Sequence, residues 1–129
     1  MSFRTIGPNV LEITYATAED MAPENQSALK TTLERLTKNA RLALCFQVGR
    51  LPKVDAAVPM FWLEITKVLS PNLCAMAIVS DSIAVRSAAR GFGVANALRS
   101  VAVEVKAWAP AQTDEALTWL REVAASAAV

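Results

Sequence analysis

Ser80-Asp81-Ser82 interrupts an apolar run and stands directly before a segment with helical spacing. A serine there could act as a nucleophile or accept a phosphoryl group. A nucleophilic hydroxyl needs a base, however, and the chain contains no histidine. The competing role is capping: a short oxygen-bearing side chain accepts hydrogen bonds from free N–H groups of the first helical turn, worth about 0.5 to 2 kcal/mol. Capping is the expectation. Gly49, Arg50 and Lys53 follow an apolar run that ends at glycine. With Ser82 they belong near the C-terminal ends of two central strands, where open α/β sheets bind ligands. Helix N-termini and cations suit a phosphate, sulfate or carboxylate there. Without a glycine-rich phosphate loop, solvated loop charge is the plainer expectation. Arg86 and Arg90 share the outer side of a helix, facing either an acidic partner or, as expected, a carboxylate of the same chain.

Met60, Phe61, Trp62 and Leu63 form an apolar cluster. Val58, Phe61, Trp62, Ile65, Val68 and Leu69 make one helical stripe, and Met60 and Leu63 lie off it. Either Pro59 shifts the register so that the domain buries all four, or the surplus forms a homodimer contact or the wall of a lipid-like ligand site. Trp108 and Trp119 are expected to pack, and Glu104 to face outward from a strand. Cys45 and Cys74 each sit in an apolar run and are expected to be reduced core thiols, with a disulfide between neighbouring strands as the alternative. No CxxC occurs, so neither zinc nor any other metal or cofactor is expected.

The elements that position these residues follow from periodicity. Two strand-like pieces in residues 2 to 16 flank Gly7-Pro8-Asn9, a hairpin turn composition. Pro23-Glu24 opens a helix with Leu29, Leu33 and Leu36 on one stripe. "RLALCFQVG", 41 to 49, and "LCAMAIVS", 73 to 80, are nearly continuous apolar runs, as strands buried on both sides require. Between them a loop ending in a cap at Asp55 leads into the helix that Ser70-Pro71-Asn72 terminates. Ile83, Val85, Ala88, Ala89 and Phe92 mark the core side of the next helix, which Gly91 and Gly93 punctuate. "VAVEVKAWA" alternates like a strand, and a final helix begins at a Thr113 cap, with Ala116, Leu117, Leu120, Val123 and Ala124 on its stripe. The order is β-β-α-β-α-β-α-β-α. It implies an α/β domain with a mixed, mostly parallel five-stranded sheet, an N-terminal hairpin and about four helices.

With 129 residues the chain fits one domain, 1–129. Thirteen basic residues balance twelve acidic ones, for a net charge of +1, so nucleic acid is not an expected partner. No signal sequence and no apolar stretch of membrane-spanning length is present, so a cytoplasmic protein without an integral membrane segment is expected.

That element order, with "AIVSD" followed by a small-residue helix, a strand and a closing "EALTWL", resembles the SpoIIAA-like or STAS domain family, specifically its stand-alone bacterial branch. The resemblance spans nearly the whole chain in element order and residues 75 to 120 in motif texture. It implies a non-catalytic regulatory or protein-interaction module, expected to be a homodimer with a further protein partner. In the family's anti-sigma-factor antagonists a phosphorylatable serine opens the helix after the strand that corresponds to 41–48. From Gln47 to Ile65 this chain has no Ser or Thr. The switch is therefore missing at its place, and Ser82, one strand later, does not inherit it. The related lipid-exchange (CRAL-TRIO) fold suggests the alternative, a carrier or sensor of a small apolar, lipid-like or anionic ligand.

Overall fold

The computed structural model describes residues 2–38, 40–49, 57–70 and 72–127. Its strands are β1 (Ser2–Gly7), β2 (Val10–Tyr15), β3 (Leu42–Val48), β4 (Leu73–Ser80) and β5 (Glu104–Trp108). Its helices are α1 (Pro23–Leu36), α2 (Ala57–Leu69), α3 (Ile83–Leu98) and α4 (Thr113–Ala127). The strands form one sheet in the order β1-β2-β3-β4-β5, with β1 antiparallel to β2 and every later neighbour parallel. Two short 3-10 helices, Ala18–Met21 and Pro110–Gln112, fall outside the expected elements. In the hairpin turn Asn9 takes the left-handed conformation, with φ of 61°.

Sequential strand order has a direct consequence. Each crossover adds its strand on the same side of the last, so connections of one hand place every crossover helix on one face. Leu29 and Leu33 of α1, Trp62 and Ile65 of α2, and Val85, Ala89 and Phe92 of α3 accordingly share one core with Leu11, Ile13, Leu44, Phe46, Met76 and Ile78. The opposite face is left to α4. There the strands present Val10, Ala43, Cys45, Ala75, Ala77 and Val79 to Ala116, Leu120 and Ala124. Alternation along β3 and β4 is therefore large against small, not apolar against polar. Small residues at 43, 45, 75 and 77 let a single helix settle closely over the centre of the sheet.

Several expectations need correction. Gly91 and Gly93 do not punctuate α3, which runs through both. Gly93 is where the helix rests on β5: a Cβ there would meet Val105 Cβ and its carbonyl oxygen at 3.3 Å. Helix α3 ends instead at Arg99, followed by Ser100 in the left-handed region with φ of 59°. Ile83 is not a core residue but 73% exposed, because it sits about 200° around the helix from Val85. Val68 likewise turns outward at 64% exposure, since the buried stripe of α2 runs through Trp62, Ile65, Thr66 and Leu69. Thr113 is already helical, and its hydroxyl donates to the Pro110 carbonyl at 2.7 Å instead of capping α4.

No atom lies within 4 Å of a Cβ placed at Gly91, which is exposed on α3. Gly91→Ala should therefore raise stability by about 0.5 to 1 kcal/mol through helix propensity and a less flexible unfolded chain. Urea unfolding would check this, and a destabilised variant would contradict an uninterrupted helix.

Candidate functional site

Tyr15 ends β2 on the face that receives α1 and α2. Its hydroxyl donates to Gln26 Oε1 at 2.6 Å and also hydrogen-bonds Trp62, whose indole N–H is a donor only. Phe46 stacks on Tyr15 with ring centroids 5.7 Å apart. Trp62 meets Phe46 edge-on at 5.0 Å, and Phe61 meets Trp62 edge-on at 5.6 Å. These four rings run from the sheet into α2 and fix where its first turns lie. Burial drives the Tyr15 phenol well above its ordinary pKa, against the smaller opposing effects of its hydrogen bonds to Gln26 and Trp62. Gln26 is itself buried, and its Nε2 has no hydrogen-bond partner. A buried orphan of that kind costs about 1 to 3 kcal/mol.

Between these rings and α3 lies a cavity of about 80 Å³. The strands line it with Tyr15, Phe46, Val48, Met76 and Ile78, α2 with Val58, Pro59 and Trp62, and α3 with Val85, Ala88, Ala89 and Phe92. Its origin is local. Helix α3 carries two consecutive alanines between Val85 and Phe92, and among the described residues no larger side chain fills the space they leave. The cavity sits at the C-terminal ends of β2, β3 and β4 and beside the first turns of α2 and α3, the ligand edge of an open parallel sheet.

The polar groups beside it are occupied by structure. Ser82 is the N-cap of α3, and its Oγ accepts from the Val85 N–H at 3.3 Å. Ser80 is fully buried, and its Oγ accepts from the Ser82 N–H at 3.1 Å. Among the described residues Arg86 meets no carboxylate, where an acid of the same chain was expected: its Nη1 donates to the Ser80 carbonyl at 2.7 Å, so the guanidinium closes the end of β4. Arg90 is exposed and lies along a groove beside β5, away from Arg86's contact. The Gly49 N–H donates to the Tyr15 carbonyl at 2.7 Å, and a Cβ at residue 49 would lie 2.8 Å from the Ala16 carbonyl oxygen. Only glycine permits that approach. Arg50, Lys53 and the Asp55 cap lie outside the described residues.

The apolar cluster divides. Trp62 is buried, Phe61 and Leu63 are half-buried against the core, and Met60 stands 66% exposed. The domain thus absorbs three of the four residues, so the expectation that it buries all four fails at Met60. Gly49, Trp62 and Ser82 gather at the cavity's edge of the sheet, whereas Met60 and Arg90 do not. Sequence reasoning missed Tyr15, Gln26 and the alanine pair. Gln26 had a signal, three and seven residues before Leu29 and Leu33 on their stripe, whereas the empty space beside Ala88 and Ala89 had none.

The two thiols are free. Cys45 lies opposite Ala77, three positions along β4 from Cys74, so adjacent strands do not bring the pair together. Burial, with a smaller contribution from the Glu12 charge, pushes the Cys45 thiol up to about 12. Trp108 and Trp119 pack with centroids 5.4 Å apart, and Glu104 faces outward. Among the described residues no group of three or more His, Cys, Asp or Glu is placed to hold a metal, and no helix is long and apolar enough to cross a membrane.

Replacing the cap, Ser82→Ala, should lower stability by about 0.5 to 2 kcal/mol in urea unfolding; an unchanged midpoint would show that the hydroxyl holds nothing. Tyr15 is the single tyrosine in the chain, so its titration can be read alone. Because the fold disfavours its ionised form, Tyr15 adds stability that is complete below the ordinary phenol pKa of about 10 and declines as pH rises beyond it. Phenolate absorbance should stay absent in the folded protein until alkaline unfolding and appear near pH 10 in denaturant, about the ordinary value. Tyrosinate forming near that pH in the folded protein would contradict the burial.

No family model, no curated protein and no solved structure matches this chain.

Proposed function

We propose that the protein is a non-catalytic binding module, a carrier or sensor, whose ligand is a small apolar or lipid-like molecule seated between the sheet, α2 and α3. The cavity at the C-terminal ends of β2, β3 and β4 carries this reading, because its walls are hydrocarbon and aromatic at the edge where such sheets bind ligands. Its volume of about 80 Å³ is roughly half that of an engineered cavity that admits benzene. The fitting group is the end of an aliphatic chain. The Tyr15 hydroxyl is bound on both sides by Gln26 and Trp62 and serves to hold the wall. An anionic ligand would draw on Arg50 and Lys53, which lie outside the described residues, whereas an apolar one draws on the cavity walls.

A second reading is a cytoplasmic regulatory or protein-interaction module of the STAS type, without the family's phosphoserine. The element order supports it, as do Ile83, Val94 and Leu98, which leave 73%, 61% and 82% of their surface exposed along α3.

Methyl NMR during titration with xenon and with a short alkanol tests the ligand site. Saturating shifts are expected at Val48, Ile78 and Val85, and Ala88→Phe, which fills the space, should abolish them while the remaining spectrum stays folded. Methyls that ignore both probes would sink the proposal.

A further inference from the structure

Strand β5 ends the sheet order, and its outer edge pairs with no strand among the described residues. Val105 and Ala107 face α3, while Glu104 and Lys106, both exposed, project on the side of α4. Lys106 Nζ lies 5.1 Å from the Trp119 ring centroid, which holds the ammonium near this edge. A lysine on a short edge strand ordinarily discourages pairing with other strands. The acid two residues before it reverses that effect for one partner, a second copy of the same chain. Antiparallel pairing about Val105 sets Glu104 of each chain opposite Lys106 of the other, twice over. Centring on Glu104 or Lys106 would oppose like charges, and a shift of one residue would match the α3 face of one sheet to the α4 face of the other.

Helix α3 supports the same register. It rests on β5 at Gly93, and a groove lined by Val94, Ala97, Val101 and Val105 runs between them along the open edge. Val94 and Leu98, four residues apart, are 61% and 82% exposed on α3. Edge strands about 4.8 Å apart bring the outward sides of the two copies of α3 toward each other across the axis. The Met60 to Leu63 cluster, for which a dimer contact is one of the alternatives, leaves only Met60 largely exposed and offers no comparable surface. We propose that the protein forms a two-fold homodimer in which β5 pairs antiparallel with its own copy about Val105. The two sheets become continuous, and Val94 and Leu98 of the two α3 helices meet across the axis. This inference is independent of the ligand cavity.

Sedimentation equilibrium of the full chain and a charge-swap set tests it. The wild type is expected to be a dimer. Lys106→Glu and Glu104→Lys, at exposed positions, should each weaken association by roughly tenfold or more, because both symmetry-related pairs become like-charged. The double variant, with both reversals, should restore it. Leu98→Glu should weaken the dimer without touching those charges, and circular dichroism checks that each variant is folded. A single-chain mass across the whole soluble concentration range would overturn the proposal. So would a dimer indifferent to these substitutions, or a double variant as weak as the single ones.

Discussion

The constraint on which the rest depends is that the sheet receives three crossover helices on one face and a single helix on the other. Strands added in sequential order place α1, α2 and α3 together, and only the terminal helix α4 is free to cover the remaining side. Three helices over one face demand bulk, which Leu44, Phe46, Met76 and Ile78 supply. One helix over the other face must lie close to reach the whole centre, which Ala43, Cys45, Ala75 and Ala77 permit. Five of the chain's alanines, Ala43, Ala75, Ala77, Ala116 and Ala124, serve this second requirement.

The candidate site is a by-product of how the bulky face is filled. Tyr15, Phe46, Trp62 and Phe61 make a continuous aromatic contact that sets α2 against the sheet. Thr66 of α2 and Asn96 of α3, both fully buried, meet at 3.2 Å and tie the next helix to it. With the two helices held in this way, small residues at 88 and 89 cannot be compensated by a shift of the backbone, and a cavity stays open. Hydrogen bonding closes the polar side: Ser80, Ser82 and Arg86 satisfy the end of β4 and the start of α3 and leave an apolar site.

Much of the architecture was legible. Element order, the hairpin, the parallel crossovers and the cap at Ser82 follow from periodicity and from the chemistry of short polar side chains at helix starts. Errors concentrated where a residue type has two uses. Glycines 91 and 93 looked like helix terminators, yet Gly93 serves close approach to Val105 inside an unbroken helix. Ile83 and Val68 looked like core because they are large and apolar, but their angular positions turn them away from the sheet. Arg86 suggested an ion pair, whereas among the described residues it donates to a strand-end carbonyl.

The sequence alone determined which segments become strands and helices, because spacing and caps act within a few residues. It also determined that no histidine-based or cysteine-motif chemistry is available, since composition is enough to say so. Only the tertiary structure decided which side of the sheet each apolar stripe would meet, that the Tyr15 hydroxyl donates to Gln26, and that Ala88 and Ala89 line a cavity. Those outcomes depend on distances between segments far apart in the chain. Volume left over after packing is a property of all the walls at once, and no local pattern records it.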